Sequence, residues 1–170
     1  MSKQKIAASL IASLSITVGL CLVANGQALC KYWFSRIDTS VDSPEMHEKI
    51  NEKDPEIIMK GIDCLLKMEG NKREARFSGA TRNDTSQISG PATVEVAALF
   101  YISYLYYQNW ESFSGGIALR GTDGKISSIE TTRKAYKYYR EWFKEAKRIG
   151  IQKARELEMA PLKGKDVSWY

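Results

Sequence analysis

Apolar residues gather in four places along the chain, and each has its own pattern. The first runs from Ile6 to Val23, preceded by Lys3 and Lys5 and followed by Gly26-Gln27-Ala28. A cationic start, an apolar middle and small residues at −3 and −1 of a cut after Ala28 make the layout of a secretory leader. The competing expectation is an uncleaved anchor, because 18 residues lie at the lower edge of a membrane-spanning helix. Ser9, Ser13, Ser15, Thr17 and Gly19 weaken that alternative by thinning the apolar run. Cys21 and Cys30 each follow a leucine, where lipoprotein processing wants a small residue. Leader or anchor, Leu29–Tyr170 is expected outside the cytoplasm, periplasmic or secreted, as a single domain over residues 29–170.

The second apolar group has helical spacing: Ile57, Ile58, Gly61, Ile62, Leu65 and Leu66. Asp54 as N-cap, Pro55 at the first helical position and Glu56 in the first turn mark its start, and Gly70 its stop. The third group, Val94 to Tyr107, is interrupted only by Glu95 and Ser103, which predicts a helix buried on most sides. The fourth is an amphipathic helix opened by a Ser127–Glu130 capping box, with Tyr136, Tyr139, Phe143 and Ala146 as its apolar stripe. Gly150 bends or breaks it, and Ile151 to Met159 resume it before Pro161. Between these elements, residues 31–53 read as polar and irregular after Tyr32, Trp33 and Phe34. Residues 71–90 read as a long loop. Ile117 to Ile126, with a turn at Thr122-Asp123-Gly124, read as a very small hairpin or extended loop. The aromatic tail Val167-Ser168-Trp169-Tyr170 is expected to dock on the core. The fold class that follows is mainly α: helices near residues 54–69, 92–111 and 128–149, a C-terminal helix, and at most a short β-hairpin.

Charge adds a polarity to this picture. The chain carries +5, and +3 once Lys3 and Lys5 leave with a leader, too small an excess to argue for nucleic acid. From Asp38 to Asp63 eight acids face three lysines, whereas from Thr131 to Lys165 eleven Lys and Arg face four glutamates. On the fourth helix Arg133, Lys137, Arg140, Lys144 and Lys147 form a basic stripe. The two regions are expected either to pair loosely within the fold or to steer a partner of opposite charge. Arg73, Arg76 and Arg82 are the cationic candidates of the 71–90 loop. Of three cysteines, Cys21 lies in the leader, leaving Cys30 and Cys64 as an even pair in an oxidising compartment, with a disulfide expected between them.

Catalytic signatures are absent. The chain has no Gly-x-Ser-x-Gly, no Walker loop and no dinucleotide fingerprint, and its single histidine, His47, has no neighbours that would complete a zinc set. Leu119 to Glu130 reads L-R-G-T-D-G-K-I-S-S-I-E, and it resembles the twelve-residue calcium loop of the EF-hand family. Asp123, Gly124, Ile126, Ser127 and Glu130 fall on that loop's fifth, sixth, eighth, ninth and twelfth positions. The resemblance implies calcium as the one candidate cofactor, with Asp123 and Glu130 as ligands. Leu119 and Gly121 stand at the first and third positions and offer no carboxylate, and a turn followed by a helix cap explains the same residues without metal.

Export, small size, segregated charge and abundant Tyr and Trp lead to an expected function as a small exported binding protein. It would act by contact with another protein, in the concrete case as an immunity or inhibitor protein for an enzyme of the cell envelope. The alternatives are a small secreted hydrolase that brings together carboxylates from Glu95, Glu111, Asp123 and Glu130, and a structural envelope component. Membrane contact is expected only if the N-terminal segment stays uncleaved.

Overall fold

A computed structural model describes residues 27–38, 50–76, 92–109, 112 and 116–170. The expected leader up to residue 26 therefore lies outside the described residues, as do His47, Arg82 and Glu111. The described part is mainly α-helical. In chain order it holds α1 (27–37), α2 (Pro55–Leu65) with a 3₁₀ turn (Leu66–Met68), α3 (Val94–Tyr107), β1 (Leu119–Gly121), α4 (Ile129–Ile149), α5 (Ile151–Glu156) and β2 (Val167–Trp169). Among the described residues no helix is long and apolar enough to cross a membrane.

Helix α1 corrects the expectation of an irregular stretch from residue 31. Leu29, Trp33 and Ile37 recur every fourth residue and all three are buried, which is the single apolar stripe of a helix laid on a core. Gln27 is exposed, Ala28 is half-buried and Leu29 is buried. The Trp33 ring lies so close to α2 that a Cβ added at Gly61 would sit 2.6 Å from its Cε2. Glycine is what lets the two helices approach.

Helix α2 forms as its residues dictate. Asp54 Oδ1 accepts from the backbone N–H of Glu56 at 2.8 Å and of Ile57 at 3.2 Å, Pro55 occupies the first turn, and Ile58, Ile62 and Leu65 are fully buried. Helix α3 is the centre of the fold, its residues buried from Val94 through Ser103 and again at Leu105 and Tyr106. It ends at Gln108, in the left-handed conformation, so it is shorter than the expected 92–111. Arg155 of α5 then donates to the exposed carbonyls of Tyr106 and Leu105, both at 2.7 Å, closing the helix end with a cation.

The amphipathic α4 covers α3 with Ala135, Tyr136, Tyr139, Trp142, Phe143 and Ala146. Its cap lies one residue later than expected. Ser128, not Ser127, accepts from the Thr131 N–H, at 3.1 Å, while Ser127 Oγ accepts from the Leu119 N–H. The Glu130 side chain points away from the cap and pairs with Lys134 at 3.6 Å. At Gly150 the backbone takes φ 87°, a conformation that separates α4 from α5.

The small sheet gains a distant strand. Leu119–Gly121 pairs antiparallel with the C-terminal Val167–Trp169, Leu119 opposite Trp169, while on its other side the local turn keeps the Arg120–Ile126 bridge and backbone bonds from Gly121 N–H to the Lys125 carbonyl and from Ser127 N–H to the Leu119 carbonyl. The tail thus docks by strand pairing as well as by its aromatic rings. Trp169 Nε1 donates towards Ser103 and Tyr139, at 3.1 and 3.0 Å, and those two hydroxyls hydrogen-bond each other in the core. Three elements distant in sequence share one closed polar network. Residues 71–76 are irregular, as expected of a loop, apart from one bridge: Glu74 pairs with Thr93, and Ala75 N–H donates to the Ala92 carbonyl at 2.8 Å.

Candidate interaction surface

The basic stripe of α4 is exposed along its length, with Arg133, Lys137, Arg140, Lys144 and Lys147 all solvent-accessible. Its members are not equivalent. Arg140 forms an ion pair with Glu69, and Lys147 donates to Asp63 at 2.7 Å, so these two bind α4 to the end of the α2 segment. The Lys147 hydrogen bond holds the Asp63 carboxyl below the usual carboxylate range against a modest burial penalty, with Lys67 at 3.4 Å adding to it. Lys137 is 4.0 Å from Glu141. Arg133 and Lys144 pair with no carboxylate among the described residues. Part of the charge segregation is therefore spent inside the fold, and the remainder is offered to solvent.

At Lys147 the stripe meets a groove of about 770 Å³ between α1 and α2. Leu29, Phe34, Met59 and the Cys30–Cys64 disulfide form its apolar part. The bridge spans 34 residues with a Cα–Cα distance of 5.3 Å, inside the normal range for a disulfide. It holds one wall of the groove to the other.

Arg73 donates to Asp38 at 3.0 Å, and Asp38 is almost fully buried, so this pair closes the C-terminal end of α1 against the start of the 71–76 segment. Arg76 is exposed. The candidate carboxylates are dispersed. Glu95 is buried at the start of α3, accepting from the Gly70 N–H at 2.9 Å and from Lys72. Asp123 is at the surface, where the Lys125 backbone and side chain hold its carboxyl below the usual range, and Glu130 is engaged by Lys134. The Asp123 carboxylate lies over Gly121, so close that a Cβ added there would sit 2.8 Å from its Oδ1. Among the described residues no three His, Cys, Asp or Glu side chains group in a way that could hold a metal ion.

One polar cluster went unseen in the sequence. Tyr32 and Arg36 of α1, Glu52 and Tyr101 of α3 converge: Tyr32 and Tyr101 donate to the two Glu52 oxygens, Arg36 Nε donates to the Tyr101 hydroxyl at 3.0 Å and lies 3.4 Å from Glu52. The four-residue repeat of Leu29, Trp33 and Ile37 was the signal for the helix that carries the first two. Every polar atom named in this cluster has a partner within it, which makes it a brace between α1 and α3.

Burial pushes the hydroxyls of Tyr101, Tyr136 and Tyr139 well above their ordinary value of 10.0, and burial with the neighbouring Glu52 does the same for Tyr32. The sign of the linkage follows. These tyrosines stay protonated in the folded chain where the unfolded chain ionises, so their stabilising effect is intact below pH 10.0 and is lost as pH rises above it. Alkaline unfolding should therefore begin above about pH 10, with a group of tyrosines whose ionisation, read by tyrosinate absorbance, coincides with the loss of helical circular dichroism. Smooth titration of all tyrosines before unfolding would contradict their burial.

Comparison of the chain with protein-family models, with curated proteins and with solved structures finds no match. The functional reading rests on the geometry alone.

Proposed function

We propose that this protein is a small exported binding protein that engages an acidic surface of another protein through the stripe on α4, in the manner of an immunity or inhibitor protein. The observation that carries the reading is the stripe's continuity. Arg133, Lys137 and Lys144 lie exposed along one face of α4, and Lys147 joins that face to an apolar groove. Charge at the rim sets encounter rate and orientation, while an apolar recess beside it is where bound contacts concentrate. Supporting it, the described candidate carboxylates are each occupied by a local lysine rather than converging in one cleft. The disulfide suits an oxidising compartment, as an exported protein requires.

The test is comparative capture from an envelope extract of the source cells. The immobilised full chain should enrich a protein that the Arg133→Glu/Lys137→Glu/Lys144→Glu variant does not. Arg140 is left in place because its reversal would also break the Glu69 pair. The variant should keep its helical circular dichroism and melting temperature, since exposed charges contribute little to stability. Equal enrichment by both proteins would move the interface away from this helix.

A further inference from the structure

The groove beside the disulfide has chemistry of its own beyond the stripe that reaches it at Lys147. Its volume is in the range of small-molecule sites, it is an open groove, and its lining combines apolar side chains with a few charged groups. Leu29 and Cys64 are buried beneath it, and Phe34, Met59 and Cys30 are half-buried along it. Four lysines edge the groove against two carboxylates, Glu56 and Asp63, a balance of two positive charges. Three of the lysines are answered: Lys60 by Glu56 at 2.7 Å, and Lys67 and Lys147 by Asp63. Lys31 is not. It pairs with no carboxylate among the described residues, and it stands one helical turn beyond Gln27, which also lines the groove.

We propose that this groove binds a long-chain carboxylate, a free fatty-acid anion, with its chain laid over Leu29, Phe34, Met59 and the disulfide and its carboxylate on Lys31. Each methylene withdrawn from water contributes about 0.8 kcal/mol, so the apolar part supplies affinity without specificity. The unanswered ammonium supplies the choice of headgroup: an anion neutralises it, a cation is repelled by the net charge of the edge, and a neutral head gains less from it than an anion does. No bond is made or broken, and the headgroup contact is at Lys31 of α1, outside the α4 stripe.

The experiment is calorimetric titration of the full, oxidised chain with laurate below its critical micelle concentration. Dodecyltrimethylammonium is the control of equal chain length and opposite charge. Laurate should bind saturably at one site per chain, and the cation should not. Lys31→Glu should weaken laurate binding by about ten-fold or more, the loss of one charge-assisted hydrogen bond, and Lys31→Gln by a smaller factor in the same direction. Phe34→Ala should weaken it as well, with helical circular dichroism unchanged. Absence of laurate binding, equal binding of the two amphiphiles, or unchanged affinity in both Lys31 variants would each overturn the proposal. Because Lys31 is exposed, its variants test the headgroup contact without disturbing the core.

Discussion

Trp33→Ala is expected to destabilise the protein by about 3–5 kcal/mol, the range for removing a large aromatic side chain from a packed core. Trp33 is fully buried although it belongs to the first described helix of the chain. Its ring meets Tyr101 of α3 at a centroid distance of 5.9 Å, meets Tyr32 edge-on at 5.1 Å, and rests on the bare backbone of Gly61 in α2. Truncation leaves a cavity bounded by three helices, and the rigid glycine contact cannot collapse into it. Approached from the other side, Gly61→Ala places a methyl group where the indole already lies, and overpacking of this kind costs about 1–3 kcal/mol. Urea unfolding with an unchanged slope would measure both. A loss below about 1 kcal/mol for Trp33→Ala would mean that α1 is peripheral to the folding unit.

Cys64→Ala is expected to cost about 2–4 kcal/mol, because the bridge closes a long loop in the unfolded chain. Cys64 is buried in α2 and Cys30 half-buried in α1, so the substitution also releases the covalent tie between the helices that Trp33 packs together. The two losses should not add fully, since both act on the docking of α1. Non-reducing peptide mapping should show Cys30 joined to Cys64. Two alkylatable thiols in the native protein would contradict the bridge.

Elements with strong local signals were legible in the sequence. Asp54-Pro55-Glu56 announces α2 because capping is decided within one turn, and the apolar run broken only at Glu95 and Ser103 announces α3 because its length and density suit a buried helix. The pairing of the cysteines followed from their even number once Cys21 was assigned to the leader. What was not legible depended on distant partners. The strand at Leu119 keeps its local backbone bonds, Ser127 N–H to the Leu119 carbonyl and Gly121 N–H to the Lys125 carbonyl, yet its other edge is taken by Val167–Trp169, nearly fifty positions away, where Trp169 donates to Ser103 and Tyr139. The cap of α4 shifted by one residue because Ser127 was recruited by Leu119. Helix α1 was hidden by the polar residues interleaved with Leu29, Trp33 and Ile37. In the candidate site the exposure of the stripe could be read from helical periodicity. That Arg140 and Lys147 are spent on Glu69 and Asp63, or that a groove adjoins Lys147, depends on how α4 lies against α2.

The central claim is that the exposed cations of α4 guide an acidic protein onto this chain. The most direct measurement is the association rate of the captured partner at low and at physiological salt, for the full chain and for the Arg133→Glu/Lys137→Glu/Lys144→Glu variant. The account predicts rapid association that falls as salt is raised, and in the variant a many-fold slower rate with most of the salt dependence gone. An unchanged rate and an unchanged salt dependence in a folded variant would contradict it.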